Sequence, residues 1–491
     1  MNIFTSFIQK SGLDFKQYQF DGVKWAIENE KSKQKLISHD KIKGGFIADE
    51  MGLGKTITML GIIFANFMMK TLIVLPNILI QQWASEIFRL TGYKPLIYHG
   101  TGKKNIKVSD LEKSYIVLTT YSAISVNKKQ RDQLSPLSLL HTIKWNRIAF
   151  DEAHHLRNIN SRYIGARMLQ SPIHWLITGT PIQNKKKDLY LLASVLGLSR
   201  SYYTDPENIG EFYKLYVLHR TKKEVGIIIP GLLEQKEVVS WKTEEERKIS
   251  FVIHDQLKIS DSSKLKTILL AQKMCTLPSL LTTNIVDLDK QLMIKSLSSS
   301  KMDAVIDSIL ARKSNGAGKI IFCRFITEID EVIKRLELGG ITSVTNYDGR
   351  VKKKKEKLDR LNNQFEALVI QIQTGCEGLN LQKYYSEIYF VSPNWNPAVE
   401  SQAIARCHRI GQKLPVIAFR FEMVQLRLQS SQQLLKKSGD ESGDSDNDHN
   451  WDDQEGDEDE YDDCKRNCRS MDQYVNSVQD RKKILISELF V

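Results

Sequence analysis

Short apolar, β-branched runs alternate with longer amphipathic stretches through residues 40–200, at Gly45–Ala48, Leu72–Leu75, Ile116–Thr119, Arg147–Phe150 and His174–Thr178. A strand that shows no polar alternation has both faces buried, which occurs where helices cover a parallel sheet on each side. The rhythm fades after about residue 205. Lys223 to Lys301 reads as mostly helical and charged, a linking or protruding element, and the alternation resumes at Lys319–Cys323, Ser343–Asn346, Ala367–Gln373, Ile388–Val391 and Val416–Phe419. The pattern predicts two similar α/β units and no short-period repeat.

Length agrees, since 491 residues at roughly 150 per domain give about three units. With 41% hydrophobic and 9% aromatic residues the chain has the material for sizeable cores and is not a disordered polymer. Its net charge of +12 is an average over unlike parts. Residues 438–463 carry fourteen carboxylates and neither Lys nor Arg; the other 465 residues hold 70 basic against 44 acidic side chains, a net +26. A body so basic points to a polyanionic partner. The longest uncharged stretches, Thr56 to Met69 and Thr71 to Ser85, fall short of the roughly 20 apolar residues that span a bilayer, so no membrane partner is expected. The N-terminal residues lack the features of a secretory signal. Six cysteines, of which Cys275, Cys323, Cys376 and Cys407 are isolated, read as reduced thiols. Cys464 and Cys468, with His449 upstream, are open to two readings, a zinc pair or a solvated pair without function.

The segment Gly44-Gly-Phe-Ile-Ala-Asp-Glu-Met-Gly-Leu-Gly-Lys-Thr56 runs from a strand through a glycine turn into an apolar helix. Gly52 and Gly54 let the backbone approach an anion, the helix N-terminus faces it, Lys55 neutralises outer phosphates and the Thr56 hydroxyl suits magnesium. The full eight-residue phosphate-loop pattern has Gly where this chain has Asp49. Taken alone, the match is also compatible with an ordinary glycine-rich turn.

Arg147-Ile-Ala-Phe150 is an apolar strand ending in Asp151-Glu-Ala-His154. Carboxylates at the C-terminal end of a buried strand are costly unless they hold a cation or a water. Asp151 suits magnesium, and Glu152 suits the activation of a water that attacks a γ-phosphate; a solvated helix start is the alternative. Leu176-Ile-Thr-Gly-Thr-Pro181 ends another strand in hydroxyls. Within Gln402 to Gln412, Arg406 and Arg409 are expected three apart on one helical face, able to reach phosphates or to form a solvated basic face.

This ordered set resembles the SWI/SNF-type helicase-like ATPases of superfamily 2, over about residues 13 to 425. Phe15 to Trp25 is similar to the family's adenine-recognising opening motif, with Gln19 in the adenine-reading position. The likeness continues through Asp49-Glu-Met-Gly-Leu-Gly-Lys-Thr56, Leu75-Pro76 with Gln82-Trp83, Thr119-Thr-Tyr121, the box Asp151-Glu-Ala-His154, Thr178 to Asn184, His219-Arg-Thr-Lys222, Cys275 to Leu280, Gly375 to Leu381, Asn394-Trp-Asn-Pro397 and Gln402 to Gln412. Met-Gly-Leu-Gly-Lys-Thr together with Arg-Ile-Gly-Gln is the specific combination. The resemblance implies two RecA-like lobes that close around ATP and step along duplex DNA. Asp49, Glu50, Met51, Gly52, Leu53, Gly54, Lys55, Thr56, Gln19 and Gln402 would bind nucleotide. Thr56 and Asp151 would hold Mg2+; Lys55, Asp151, Glu152, Arg406 and Arg409 would be catalytic, Arg409 as arginine finger; Thr119, Thr120 and Gly375 would contact DNA.

The expected fold is therefore α/β, with lobe 1 at 1–225, a helical linker at 226–298, lobe 2 at 299–425, an acidic disordered insertion at 426–466 and a C-terminal brace helix at 467–491. The wording of Asn394 to Glu400 is closest to relatives that also carry a RING finger, but six scattered cysteines do not supply eight metal ligands. A minimal motor, similar to those of large DNA viruses, is expected, in the nucleus or at a cytoplasmic replication site. The acidic insertion would mimic DNA, dock onto histones or another basic protein, or serve as a spacer. The run Lys352 to Lys357 suits DNA, nuclear import or a solvated helix face. A duplex-DNA translocase leads the functional readings, ahead of a strand-separating helicase or transcription-termination ATPase and of a non-catalytic DNA-binding scaffold.

Overall fold

The structure is a computed structural model that describes residues 2–31, 42–132, 137–179, 186–255, 264–284, 294, 297–350, 365–375, 379–424 and 470–489. The acidic insertion, Cys376, Cys464, Cys468, His449, Thr180 to Asn184 and Lys352 to Lys357 lie outside the described residues. The chain divides into two compact units, Met1–Ile229 with Leu485–Val491, and Pro230–Ile484.

The first unit is a seven-stranded sheet built from β1 (Gly44–Ile47), β2 (Thr71–Leu75), β3 (Leu96–Tyr98), β4 (Ile116–Thr120), β5 (Arg147–Asp151), β6 (His174–Ile177) and β7 (Val217–Leu218), in the order β3-β4-β2-β5-β6-β1-β7. Every pairing is parallel. Successive side chains along a strand point to opposite faces, and the cores follow that rule. Leu72, Val74, Ile148, Phe150 and Leu176 enter one core, while Ile73, Leu75, Ala149, Trp175 and Ile177 enter the other, against α1 (Asn2–Lys10), α2 (Gln17–Lys31) and α3 (Lys55–Ala65). Burying each of the Leu, Ile, Val and Phe side chains among these stabilises by about 1.5–3 kcal/mol.

A buried ion pair lies in this apolar setting. Arg147, wholly buried at the start of β5, reaches both oxygens of the equally buried Glu30 on α2, at 2.6 Å each. Trp175 Nε1 and Asn66 Nδ2 donate to the same carboxylate at 2.8 and 2.6 Å. The helix that carries Gln19 is thereby tied to the strand that ends in Asp151.

The second unit is a six-stranded parallel sheet of β8 (Leu232–Val239), β9 (Gly318–Cys323), β10 (Val344–Tyr347), β11 (Ala367–Gln371), β12 (Tyr385–Phe390) and β13 (Val416–Met423), ordered β10-β11-β9-β12-β13-β8. The segment expected to be mostly helical therefore opens with a strand. β8, Leu-Leu-Glu-Gln-Lys-Glu-Val-Val, is an edge strand, largely exposed and polar, and takes its conformation from pairing along the whole length of β13. An edge strand of this kind has no apolar signature to read. The edge strands β3 and β7 escape the pattern for another reason: they are apolar but only three and two residues long.

The C-terminal helix Met471–Leu489 forms as expected. Met471, Tyr474, Val475 and Val478 pack in the second unit's core. Asp472 pairs with the fully buried Lys301 at 2.7 Å and accepts Met423 N at 3.1 Å; Ser470 Oγ donates to Met423 O at 2.6 Å. The chain that leaves β13 thus returns beside its point of departure.

Candidate functional site

β1 and β5 flank β6, so the turns after them share the C-terminal edge of one sheet. After β1 the backbone turns through Gly52 and Gly54, at φ 95° and 79°, a region that L side chains rarely occupy. A Cβ on Gly54 would also lie 2.6 Å from Gln19 Nε2. Gly54 caps α3, whose first residues are Lys55 and Thr56, and the loop therefore ends on backbone N–H groups at a helix N-terminus. Leu53 is buried and its carbonyl accepts from both Gln19 Nε2, at 3.2 Å, and Tyr18 OH, at 3.1 Å. Lys55 Nζ rests on Asp49 O at 2.8 Å, and a Cβ on Gly179, just after β6, would come within 3.2 Å of that ammonium.

Asp151 closes β5. Its carboxylate accepts the Trp83 indole N–H at 2.7 Å and the Glu152 N–H at 3.0 Å, and its carbonyl accepts Tyr121 OH at 2.7 Å. Burial, and then the neighbouring Glu152 charge, hold its acidity weak, well above the usual carboxylate range; the two N–H donors and Lys55 oppose this without cancelling it. A cation placed there would restore the carboxylate form. Glu152 adopts left-handed backbone angles, φ 50° and ψ 51°, which cost a non-glycine residue about 1–3 kcal/mol and are met mainly at functional sites. Its carboxylate lies 3.3 Å from His154 Nδ1, and His154 stacks on His155. Ala153 is buried beneath them in the core.

Other expected site residues have protein partners of their own. Thr119 and Thr120 are almost wholly buried, the Thr119 hydroxyl donating to Tyr98 O at 2.9 Å and the Thr120 hydroxyl lying 3.0 Å from Ser122 Oγ. Thr119 and Thr120, expected near DNA, thus stand at the end of a covered parallel strand with their side chains largely interior, and in the same motif the Tyr121 hydroxyl reaches Asp151 O. The Asp49 carboxylate faces no open loop either. It is fully buried and bound bidentate by Arg220, at 2.9 and 2.5 Å. The Glu50 carboxylate likewise accepts Lys222 N at 2.7 Å and meets Lys222 Nζ at 2.8 Å. Trp83, Tyr121, Arg220 and Lys222 all stand inside the quoted motifs, but nothing in sequence spacing shows what each touches.

In the second unit, Asn396 caps the helix Pro397–Ile404 through its side chain, and Gln402 lies buried on that helix with its Nε2 unpartnered among the described residues. The helix ends at Ile404, so Arg406 and Arg409 stand in the succeeding turns and not on one helical face, which corrects that expectation. Burial first, and then the Arg406 charge, lower the Arg409 pKa. Arg409 donates to Asn380 Oδ1. Gln412 holds the turn closed, donating to Tyr385 O at 3.0 Å and accepting Lys413 N and Leu414 N. Gly375 ends the short helix Ile372–Gly375 after β11. Among the described residues no cluster of His, Cys, Asp and Glu is arranged as a metal site of its own.

The model of the SNF2-related domain matches residues 18–205, and that of the helicase conserved C-terminal domain matches residues 300–411. The bovine (Bos taurus) DNA excision repair protein ERCC-6-like is 25% identical over 503 residues, covering 82% of this chain and 39% of that protein. An uncharacterized ATP-dependent helicase of Mycoplasma genitalium is 27% identical over 461 residues, covering 87% of this chain and 42% of its own. The chain thus spans about two fifths of the length of such relatives. In fold it is similar to the Hef helicase domain of Pyrococcus furiosus, at TM-score 0.52 and 16% identity, over 86% of this chain and 98% of that one. With its glycine loop and acidic strand end on one sheet edge and both family domains in order, the chain belongs to the SWI/SNF-type, helicase-like ATPases of superfamily 2.

Proposed function

We propose that this protein is a DNA-dependent ATPase that moves along duplex DNA. The observation that carries the reading is the single sheet edge on which a glycine loop, Lys55, Thr56, Asp151 and Glu152 converge. Residues 51–56 cradle the phosphates, Lys55 exchanging its contact with Asp49 O for a phosphate oxygen, and Gln19 reads the base. The Thr56 hydroxyl and Asp151 carboxylate would hold Mg2+, which supplies charge neutralisation when bound; the buried, weakly acidic Asp151 fits that group. Glu152 takes a proton from the attacking water, its unusual backbone angles and His154 aiming its carboxylate. Arg406 and Arg409 act as phosphate sensors, Arg409 as the finger, with Gln402 as a further nucleotide contact.

Duplex DNA is the partner that suits a body carrying +26, with contacts mainly to backbone phosphates and therefore sequence-tolerant and salt-sensitive. The Gly375 turn is kept as one such contact. For residues 438–463 we propose a basic partner such as histones, or the protein's own DNA-binding surface. The relative named for DNA excision repair supports a role in repair and the one named an ATP-dependent helicase supports the use of ATP; the role proposed is in transcription, chromatin or repair, in the nucleus. ATP turnover with duplex DNA, single-stranded DNA and RNA as activators is the test: duplex stimulation is expected, loss of turnover should follow Lys55→Ala and Glu152→Gln, and stimulation by RNA alone would overturn the proposal.

A further inference from the structure

The tetrapeptide His219–Lys222, which follows β7, lies along the first half of the glycine loop. Its backbone continues the sheet pairing past the ends of the strands, with Ala48 N donating to Leu218 O at 2.8 Å and Glu50 N to Arg220 O at 2.9 Å. The Arg220 guanidinium then reaches in two directions. Toward the loop it binds the fully buried Asp49 carboxylate as a fork, Nε to Oδ1 at 2.9 Å and Nη2 to Oδ2 at 2.5 Å. Toward α2 it donates through Nη1 to Tyr18 O and lies 5.3 Å from the centre of the Tyr18 ring. Room for it against the helix comes from Gly22, where a Cβ would meet Arg220 Nη2 at 2.9 Å. Tyr18 and Gln19 in turn hold Leu53 O, in the second half of the loop.

We infer that Arg220 is a positioning residue for nucleotide, a single guanidinium that sets the base-reading end of the site, Tyr18–Gln19, in register with the phosphate loop. The inference rests on the ATP reading above. It accounts for the departure of the loop from the glycine pattern: Asp49 has ordinary negative φ, and in place of glycine's freedom the loop carries a buried anion that fixes it to Arg220. The guanidinium fork is required, because a Lys ammonium at this position, a point charge on a thinner stem, does not bind Asp49 bidentate and Tyr18 O together. Since the same residue lies on the segment leading to Ile229, where the first unit ends, the loop and the departing chain share one anchor.

The test uses the full chain with Arg220→Lys, Arg220→Gln, Asp49→Asn and the double variant Asp49→Asn/Arg220→Gln. The readouts are ATP and GTP affinity by titration calorimetry, and KM and kcat for each. Arg220→Lys should weaken ATP affinity and raise KM about ten- to a hundredfold, the worth of a charge-assisted bond, with a much smaller change in kcat and a reduced preference for ATP over GTP. The double variant should bind ATP more tightly than Arg220→Gln alone, because it leaves no buried charge unpaired; if Arg220→Gln does not fold, Arg220→Lys and the double variant decide. A wild-type protein that binds no ATP would overturn the ATP reading itself. A wild type that binds, with an Arg220→Lys variant of unchanged KM and unchanged base preference, would overturn this inference alone.

Discussion

The Glu30–Arg147 pair offers a quantitative test of how the first unit is held together. Glu30→Gln removes the charge and places an amide N–H group among the donors of Arg147, Asn66 and Trp175, which all converge on the present carboxylate. Both partners are fully buried, so water cannot replace what is lost. Breaking a buried pair from one side costs about 3–5 kcal/mol, and at about 2–4 °C per kcal/mol for a unit of this size the melting temperature should fall by about 6–20 °C. Glu30→Gln/Arg147→Met should recover more than half of that loss, since the stranded guanidinium is then gone. Urea unfolding of the full chain followed by tryptophan emission suits the measurement, because Trp175 donates directly to Glu30. A loss below about 1 kcal/mol, the size of an exposed pair, would refute the claim that the guanidinium is sealed from solvent.

Other expectations are more local. Trp83→Phe keeps an aromatic ring but takes the N–H from the Asp151 carboxylate; at about 1–3 kcal/mol per missing bond, turnover should fall about five- to a hundredfold while metal-free nucleotide binding stays near wild type, and turnover within twofold of wild type would count against this role. His254 is buried, its Nδ1 2.6 Å from Ser250 O and its Nε2 accepting Met471 N at 3.0 Å, and burial pushes its pKa from 6.5 down to about 4. A depressed pKa means that its contribution is present above about pH 6.5 and lost as pH falls toward 4; the melting temperature of the second unit should drop across that window, with a shallower slope in His254→Asn, and equal slopes would exclude the histidine as the cause. Replacing residues 425–469 by a short flexible linker should leave the melting temperature of the second unit within about 2 °C, because Ser470 Oγ and Met423 O already meet. In the same variant, an unchanged basal ATPase rate and DNA affinity would exclude autoinhibition by the acidic residues.

The central strands were legible because burial on both faces leaves its mark on every residue: Leu72–Leu75 and Arg147–Phe150 can be nothing but interior. The glycine loop was legible for a related reason, since Gly52 and Gly54 sit where a side chain is excluded by backbone angle or by Gln19. β8 was not, because a polar edge strand is defined by its partner. The spacing of Arg406 and Arg409 suggested a helical face, but the helix stops at Ile404 and both stand in a turn held by Gln412.

Sequence by itself determined which chemistry the first unit carries and which sheet edge carries it, since loop and acidic residues must follow buried parallel strands. It could not assign polar side chains that work by touching distant ones. That Thr119 faces the interior while its neighbour Tyr121 holds Asp151, that Trp83 donates to the same aspartate, and that Asp49 belongs to Arg220, 171 positions away, were decided only by the tertiary structure. The physical reason is that apolar burial is periodic along the chain, whereas a hydrogen bond or a buried ion pair joins residues whose separation in sequence is set by topology.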